Sequence, residues 1–205
     1  DKAFTLEELY AATIQLKNNK APGEDGIVAE WVKKLMPPKL ARMGGTEGID
    51  EVVAEEEKEG GPSPMARVAL GLLNRVWEMQ YVPKCWRGAS LVSIHKKGDP
   101  LDVDNYRGIS LMPVILKVLT IMIAKRIEAT LSREGLLAME QAGFRTREEC
   151  SGQVAALMEI LQRRWADGNM TYVMFVDLSK AYDMVPHEAM FAKMDQMGIR
   201  GRMLG

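Results

Sequence analysis

Residues 172–183 read YVMFVDLSKAYD, an apolar run that ends on a carboxylate. The five residues before Asp177 follow the helix-breaking ADGN at 166–169, which leaves too little chain for a helix. Their bulky β-forming side chains predict a strand covered on both faces. In α/β folds ligands gather at the C-terminal ends of such strands, and an ionised Asp there needs a cation, a donor or water. The run therefore predicts a mixed α and β fold with Asp177 at a functional edge of the sheet.

Two roles for Asp177 fit this position. A divalent metal would satisfy the carboxylate, since Mg²⁺ takes one or two protein carboxylates and completes its shell with phosphate oxygens and waters. Alternatively, Asp177 caps the turn or helix that follows, as Asp often does. The motif taken alone leaves both roles open.

The chain before this strand alternates between helical and extended patterns. TLEE at 5–8 is a capping box, and the apolar spacing after it predicts a helix to about residue 18. KAPGEDGI at 20–27 holds one proline and two glycines and predicts a tight turn. Further helices are predicted for residues 27–35, 65–80, 114–131 and 146–165, the last opened by a second capping box, TREE. The helix at 65–80 is expected to bury the stripe Val68, Leu72, Val76 and Met79.

Residues 43–64 are rich in Gly, Glu and Pro and show no sustained periodicity. Such a segment buries too little apolar surface to offset the entropy of ordering it, so we expect a flexible insertion. Within it, residues 50–59 read DEVVAEEEKE and carry a local charge of −5, whereas the whole chain carries −1. The rest of the chain therefore carries +4, which leaves nucleic-acid binding open.

Residues 89–94 and 105–111 predict the two strands of a hairpin joined by the turn HKKGDP. Lys96 and Lys97 lie at one end of it, and Arg107 lies on the returning strand. Arg holds a phosphate through two parallel hydrogen bonds and Lys adds a compact charge, so the hairpin has the means to clamp a triphosphate. The alternative is a solvated hairpin tip whose charges discourage edge-to-edge aggregation, and the hairpin taken alone favours that alternative.

Several functional classes lack their signatures. No GxxxxGK[ST] run occurs, which excludes a P-loop, and neither His95 nor His187 has a metal-ligand spacing or a nucleophile signature beside it. Cys85 and Cys150 are expected to be buried free thiols. The longest apolar stretch, 111–124, is interrupted by proline and lysine and is too short to cross a bilayer, and no leader opens the chain. We therefore expect an intracellular protein, nuclear or cytoplasmic, that is neither secreted nor transmembrane.

Five blocks of the chain form an ordered series. The first is KAPGEDGI at 20–27. The others are WRGASLVSIHKKGDP at 86–100, NYRGISLMPVILKVLTIMIAKRI at 105–127, EQAGFR at 140–145 with Cys150 after it, and FVDLSKAYDMVPHEAMFAKM at 175–194. In this order they resemble the motifs of the reverse transcriptase family, specifically its branch of non-LTR, LINE-type retrotransposons with their group II intron cousins. The resemblance covers nearly the whole chain outside 43–64.

The resemblance implies an α+β fold, namely the fingers of a right-hand polymerase with part of its palm and without a thumb. Residues 1–42 would form an N-terminal helical extension with the KAPG turn, and 43–64 the flexible acidic insertion. Residues 65–168 would be the fingers, and 169–205 the start of the palm, which carries the first catalytic motif.

Carried over position by position, the resemblance places Asp177 on the first catalytic, metal-binding aspartate. It places the main-chain carbonyl of Leu178 on a second metal ligand. Tyr182 falls on the aromatic steric gate, a flat, rigid ring under the incoming sugar that rejects a 2′-hydroxyl by overlap. Each of these three roles is an expectation from the resemblance.

The same comparison places Arg107 on the fingers arginine that grips the incoming triphosphate. Lys96 and Lys97 are both candidates for its lysine partner, because the turn after them varies in length within the family. Gly108 stands where many members have Pro, a difference that is not expected to remove the Arg107 contact.

The function implied is that of an RNA-directed DNA polymerase, a nucleotidyltransferase that uses an RNA template, a DNA primer, dNTPs and two Mg²⁺ ions. No [YF]xDD occurs in the chain, so the second and third catalytic carboxylates have no counterpart in it. We therefore interpret the chain as an N-terminal fragment that does not polymerise DNA by itself. The alternative is a non-catalytic, maturase-like RNA-binding module, and a helical interaction domain without catalytic descent ranks below both.

Overall fold

The structure, a computed structural model, describes residues 2–43, 45–145, 148–178 and 181–204. The chain forms two compact units, one of Asp1–Ile127 with Arg200–Gly205 and the other of Glu128–Ile199. The predicted boundaries of fingers and palm stay predictions.

The first unit consists of helices and one hairpin. Its helices are α1 Leu6–Ile14, α2 Ala29–Lys33, α3 Pro38–Met43, α4 Ile49–Lys58, α5 Pro64–Met79, α6 Lys84–Arg87 and α7 Val114–Arg133, whose end belongs to the second unit. Its strands are β1 Ser90–His95 and β2 Tyr106–Leu111, and short 3₁₀ helices lie at Val103–Asn105 and Gly201–Met203. The second unit holds α8 Cys150–Ala166, α9 Ala181–Met184 and α10 His187–Gln196. Helices with a small sheet confirm the predicted α and β class in this coarse form.

Helix α1 begins as the TLEE pattern predicts. The Thr5 hydroxyl accepts a hydrogen bond from the Glu8 N–H at 3.4 Å, and the Glu8 carboxylate accepts one from the Thr5 N–H at 2.9 Å. Two N–H groups that a helix start leaves unpaired are thereby satisfied. The predicted apolar face of α1 is buried in the core of the first unit, although the helix ends at Ile14 instead of near residue 18.

Helix α4 corrects the expectation of a flexible insertion. Ile49, Val52 and Val53 follow helical spacing and are buried against the core of the first unit. The Tyr10 hydroxyl donates a hydrogen bond to the Glu56 carboxylate at 3.0 Å. Burial, this hydrogen bond and the Glu56 charge together raise the pKa of the Tyr10 hydroxyl. The expectation was wrong for Ile49–Lys58 because three apolar residues at the right spacing anchor an otherwise acidic helix.

The buried face of α5 also differs from the predicted one. The helix is confirmed, but Val68 is 67% exposed and Met79 is 55% exposed, and of the predicted stripe only Val76 is buried. The inward residues are Ala66, Leu73, Val76 and Trp77. Helix α5 is apolar on more than one side, so packing against α1 and the rest of the core selects the face that is buried.

The predicted hairpin is present as an antiparallel pair. Ser90 lies opposite Leu111, and Ile94 lies opposite Arg107. The Lys96 N–H donates to the Asn105 carbonyl at 2.8 Å, which extends the pairing one residue beyond β1. Both faces of this hairpin are largely exposed.

Gly23 of the KAPG turn lies directly against the main chain that leads into α7. A methyl group added at Gly23 would lie 2.6 Å from the Pro113 nitrogen and 2.7 Å from the Met112 carbonyl carbon. The turn is closed by a hydrogen bond from the Gly26 N–H to the Gly23 carbonyl at 3.1 Å. Only glycine therefore permits this approach between the turn and the start of α7.

Replacement of Gly23 by Ala is expected to lower the free energy of unfolding by about 2 kcal/mol, because the methyl group must displace main chain. Urea unfolding followed by circular dichroism measures this change. Gly71→Ala is the matched control, since a methyl group there meets nothing within 4 Å. That helical substitution should raise stability by about 0.5–1 kcal/mol. A loss of similar size in both variants would contradict the close approach at Gly23.

The second unit corrects the prediction of a strand before Asp177. Residues 172–176 form no strand in the described structure, and Phe175 is 83% exposed. A strand needs a partner for its N–H and C=O groups, and within the described residues only β1 and β2 pair with each other. The helix predicted from residue 146 begins at Cys150, with Glu149 as its N-cap, and Thr146 of the proposed capping box lies outside the described residues.

The structure also bears on the predictions for the two cysteines and for membrane-spanning segments. Cys85 and Cys150 are free, as predicted, but both are exposed, so the expectation of buried thiols was wrong. In the part of the chain that the structure describes, no helix combines the length and apolar character needed to cross a membrane.

Candidate functional site

The hairpin presents the three predicted triphosphate-binding side chains in the first unit. Side chains of opposite residues in an antiparallel pair share a face, so Arg107 lies on the face of Ile94. Alternation along the chain places Lys96 on that same face, whereas Lys97 falls outside the paired segment. All three cations are exposed, and none of them pairs with a residue that the structure describes. Lys96 and Arg107 are thus brought together with their charges available to a ligand.

The face that carries Arg107 also presents apolar side chains. Val92 is 42% exposed, Ile94 is 49% exposed and Ile109 is 43% exposed. An apolar strip beside two cations provides a platform for a ligand with a flat or apolar part and an anionic part. Sequence reasoning had identified the cations and had not identified this strip, although the alternation of LVSI already indicated it.

Gly108 lies on β2 at a position where the main-chain N–H is not needed by the sheet, although a Cβ there would lie 2.9 Å from Cδ1 of Leu91. The Lys96–Asn105 hydrogen bond identifies that pair as hydrogen-bonded, and alternation makes Ser93–Gly108 a non-hydrogen-bonded pair. The Gly108 N–H therefore points away from β1, and replacing it removes no bond of the ladder. The expectation that Gly in place of Pro preserves the Arg107 contact stays a prediction.

Asp177 and Leu178 lie in an exposed segment of the second unit that forms neither helix nor strand. The Leu178 residue is 73% exposed, and the Asp177 carboxylate has no hydrogen bond or ion pair with a described residue. The alternative role for Asp177, that of capping the turn or helix that follows, involves Ser179 and Lys180, which lie outside the described residues, whereas α9 begins at Ala181. An uncommitted carboxylate of this kind remains available to a cation.

Tyr182 lies on α9 and is 78% exposed. Its ring meets that of Phe144 edge to face, with 6.4 Å between the ring centroids. Phe144 adopts a left-handed backbone with φ +63°, which is uncommon outside glycine. Sequence reasoning gave Phe144 no role, although it belongs to the EQAGFR block. The structure therefore adds an aromatic neighbour to the predicted gate residue.

The fit of a divalent metal can be tested on these residues. Among the described residues, no group of three His, Cys, Asp or Glu side chains is arranged to hold a metal ion. Asp177 with the Leu178 carbonyl provides two oxygen ligands at most from the described part of the motif. The described residues alone do not make a complete metal site.

Three relatives from Drosophila melanogaster match nearly the whole chain. "RNA-directed DNA polymerase from mobile element jockey" is 27% identical over 192 residues, which is 93% of this chain and 18% of that protein. "Probable RNA-directed DNA polymerase from transposon BS" is 28% identical over 197 residues, 96% of this chain and 19% of that protein. "Putative 115 kDa protein in type-1 retrotransposable element R1DM" is 28% identical over 206 residues, 97% of this chain and 17% of that protein. The chain thus spans about a fifth of the length of the curated relatives it matches.

The family model that matches is described as Reverse transcriptase (RNA-dependent DNA polymerase) and covers residues 94–204, just over half of the chain. The matched region contains Arg107 with both hairpin lysines, and it also contains Asp177 and Tyr182. Both groups of predicted site residues therefore lie inside one family match. The chain belongs to the reverse transcriptase (RNA-dependent DNA polymerase) family, as its ordered motifs predict.

Proposed function

We propose that this chain is part of the RNA-directed DNA polymerase of a non-LTR retrotransposon. The family match over residues 94–204 carries the proposal, because it includes the cationic hairpin and the Asp177 motif together. The names of the matched relatives, three mobile-element proteins, support it. The substrates would be an RNA template, a DNA primer and dNTPs.

Asp177 is proposed as a catalytic carboxylate of the complete enzyme, with the Leu178 carbonyl beside it. Divalent metal ions, Mg²⁺ in the proposal, would neutralise charge on the triphosphate and lower the pKa of the attacking 3′-hydroxyl. The exposed and unpaired state of Asp177 supports the assignment, since no described residue competes for the carboxylate. The other acidic ligands that such chemistry needs would have to come from outside the described residues.

Arg107 and Lys96 are proposed to hold the triphosphate of the incoming nucleotide. Arg offers a planar fork for two phosphate oxygens, and Lys adds a point charge on the same face of the hairpin. The choice of Lys96 over Lys97 rests on the ladder bond that keeps Lys96 in register with Asn105.

A pair of lysine variants tests this choice. In the full-length protein, Lys96→Met is expected to raise the apparent KM for dNTPs about tenfold, because a charged hydrogen-bond donor to phosphate is lost while the apolar stem remains. Lys97→Met is the matched control and should change KM by less than about twofold. Steady-state primer extension at varied dNTP concentration measures both. A larger effect at Lys97 would assign the phosphate contact to that residue instead.

Tyr182 is proposed as the gate that excludes ribonucleotides. Its contact with Phe144 supports the proposal, because an edge-to-face aromatic pair restricts the ring and such pairs contribute about 0.5–1.5 kcal/mol. A ring held in place excludes the 2′-hydroxyl of a ribonucleotide by steric overlap, whereas a freely rotating ring would move aside and admit it.

The experiment that tests the proposed function is RNA-templated extension of a DNA primer by the full-length protein. Incorporation of dNTPs that requires both the RNA template and a divalent metal is the expected result. Salt-dependent RNA binding without synthesis under any divalent metal would overturn the polymerase proposal and favour a maturase-like RNA-binding role.

A further inference from the structure

A small cavity in the first unit collects lysines from three separate parts of the chain. It lies where the end of α1, the KAPG turn and the start of α7 meet, and its volume is about 70 Å³. Lys17 follows α1, Lys20 opens the KAPG turn, and Lys117 lies in the first turn of α7. Ser110 of β2 also lines the cavity. Tertiary structure thus brings together three cations that are up to a hundred residues apart in sequence.

The charged side chains in the described lining of this cavity are all positive. None of the described residues that line it is acidic. The side-chain ammonium groups of Lys17, Lys20 and Lys117 have no hydrogen bond or ion pair with a described residue. The KAPG turn contains two carboxylates, and both have other partners: Glu24 accepts from the Ser90 hydroxyl at 3.5 Å, and Asp25 accepts from the Ile27 N–H at 3.1 Å. Three unpaired cations around one concavity attract an anion, since clefts lined by one sign of charge focus the electric field.

We propose that this lysine cavity is a binding site for a single phosphate group of a nucleic-acid backbone. Its size suits one phosphate and leaves no room for a nucleoside, which points to a phosphodiester of a strand that runs over the surface. Helix α7 begins at the cavity, so the partial positive charge of its N-terminus adds to that of the lysines. The Ser110 hydroxyl supplies a hydrogen-bond donor.

This site differs from the hairpin clamp proposed for the triphosphate. Of the hairpin residues that line the cavity, Ser110 and Leu111 belong to the end of β2 remote from Arg107 and the turn. Its role is to anchor RNA and not to hold the incoming nucleotide. The inference rests on the proposed function in so far as the strand is an RNA template.

The test compares two triple variants of the whole 205-residue chain in binding a short, fluorescently labelled poly-uridine RNA. One variant carries Lys17→Gln, Lys20→Gln and Lys117→Gln. The control carries Lys58→Gln, Lys84→Gln and Lys193→Gln, which removes the same charge from exposed, unpaired lysines elsewhere. Fluorescence anisotropy over a series of KCl concentrations gives the affinity and its salt dependence, and circular dichroism verifies that both variants fold.

The cavity variant is expected to bind RNA about tenfold more weakly than the control variant. Its slope of log K against log salt should fall by about 0.7, the contribution of one phosphate on a single strand. Millimolar inorganic phosphate, added as a competitor at constant ionic strength, distinguishes a site that also takes a free phosphate ion from one that takes only a phosphodiester of the RNA strand. Competition in the wild type that is lost in the cavity variant shows that a free phosphate enters the same site, whereas absence of competition assigns it to the strand alone.

Equal affinities and equal slopes for the two triple variants would overturn the inference, and so would absence of RNA binding by the wild-type chain. Primer extension by the full-length protein with the three cavity substitutions distinguishes failure of the cavity proposal from failure of the polymerase proposal. If synthesis persists while RNA binding by the two variants is equal, the cavity carries no phosphate and the polymerase proposal still stands.

Discussion

Replacement of Asp177 by Asn in the full-length protein is expected to lower RNA-templated primer extension by about 10³-fold or more. The substitution preserves size and removes the negative charge that the proposed metal ligand supplies. Asp177 is exposed and has no partner among the described residues, so its loss breaks no described contact. The thermal unfolding temperature should therefore stay unchanged while synthesis is lost.

Single-turnover primer extension at saturating dNTP is the measurement that isolates this effect. Asp167→Asn is the matched control, because Asp167 is also an exposed carboxylate of the second unit and has no proposed role. The control should extend the primer at the wild-type rate. An Asp177→Asn variant with near wild-type synthesis would remove Asp177 from the catalytic machinery and would leave the family assignment intact.

Replacement of Arg126 by Met is expected to lower the free energy of unfolding by about 3 kcal/mol. Arg126 on α7 holds the segment before α1 in place. Its Nε and Nη2 donate to the Glu8 carboxylate at 2.6 and 2.7 Å. Two further N–H groups of the guanidinium donate to the carbonyl of Lys2 at 2.6 Å and to that of Ala3 at 2.9 Å. The pair is largely shielded, with 19% of the Arg126 side chain and 29% of the Glu8 side chain exposed.

Aromatic stacking adds to this arrangement. The Arg126 guanidinium lies 4.2 Å from the centroid of the Phe4 ring and 5.6 Å from that of Trp77. The side chain of Asn74 on α5 holds the main chain of Phe4 through two hydrogen bonds. It accepts from the Phe4 N–H at 2.5 Å and donates to the Phe4 carbonyl at 3.0 Å. Because the fork and the flat stacking surface are specific to Arg, Arg126→Lys should recover only part of the loss.

Chemical unfolding of the Arg126 variants measures the effect, and Arg133→Met is the control. Arg133 lies on the same helix, pairs with Glu134 at 2.9 Å and is 72% exposed, so its loss should cost less than about 0.5 kcal/mol. Equal costs at the two arginines would show that the contacts of Arg126 do not stabilise the fold.

The pH dependence of stability provides a second test of the same pair. Burial raises the pKa of the Glu8 carboxyl, but hydrogen bonds from Arg126 and the Thr5 N–H, with the Arg126 charge, outweigh burial and leave the pKa lowered. A folded pKa below the unfolded value stabilises the protein above the unfolded pKa. This contribution should therefore be complete above about pH 4.5 and should vanish as the pH falls through the lowered value. Glu8→Gln should remove that part of the acid dependence.

Local sequence determined the elements whose signals depend on near neighbours. The TLEE capping box, the hairpin and the long helix α7 could each be predicted, because capping, turn chemistry and periodicity act within a few residues. The order of the motifs was likewise sufficient to predict the family, since order requires no knowledge of packing.

Other elements could be placed only once neighbours from distant parts of the chain were present. The segment of α4 was predicted to be flexible because it has only three buried apolar residues. Their contribution to stability depends on contacts with α1 and α3, which the local sequence does not show. The predicted buried face of α5 was wrong because burial depends on which side of the helix packs against α1. The run at 172–176 has strand-forming residues, but a strand exists only when another strand pairs with it.

The candidate site divides in the same way. Sequence by itself determined the candidates for the chemistry, namely Asp177, Arg107 and the lysines of the hairpin, because side-chain charge and position in the chain can be read directly from the sequence. Only tertiary structure decided that Lys96 shares a face with Arg107. Tertiary structure alone likewise brought Lys17 and Lys117 to one cavity. The physical reason is that local propensities act within a few residues, whereas faces and cavities arise from contacts between segments far apart in the chain.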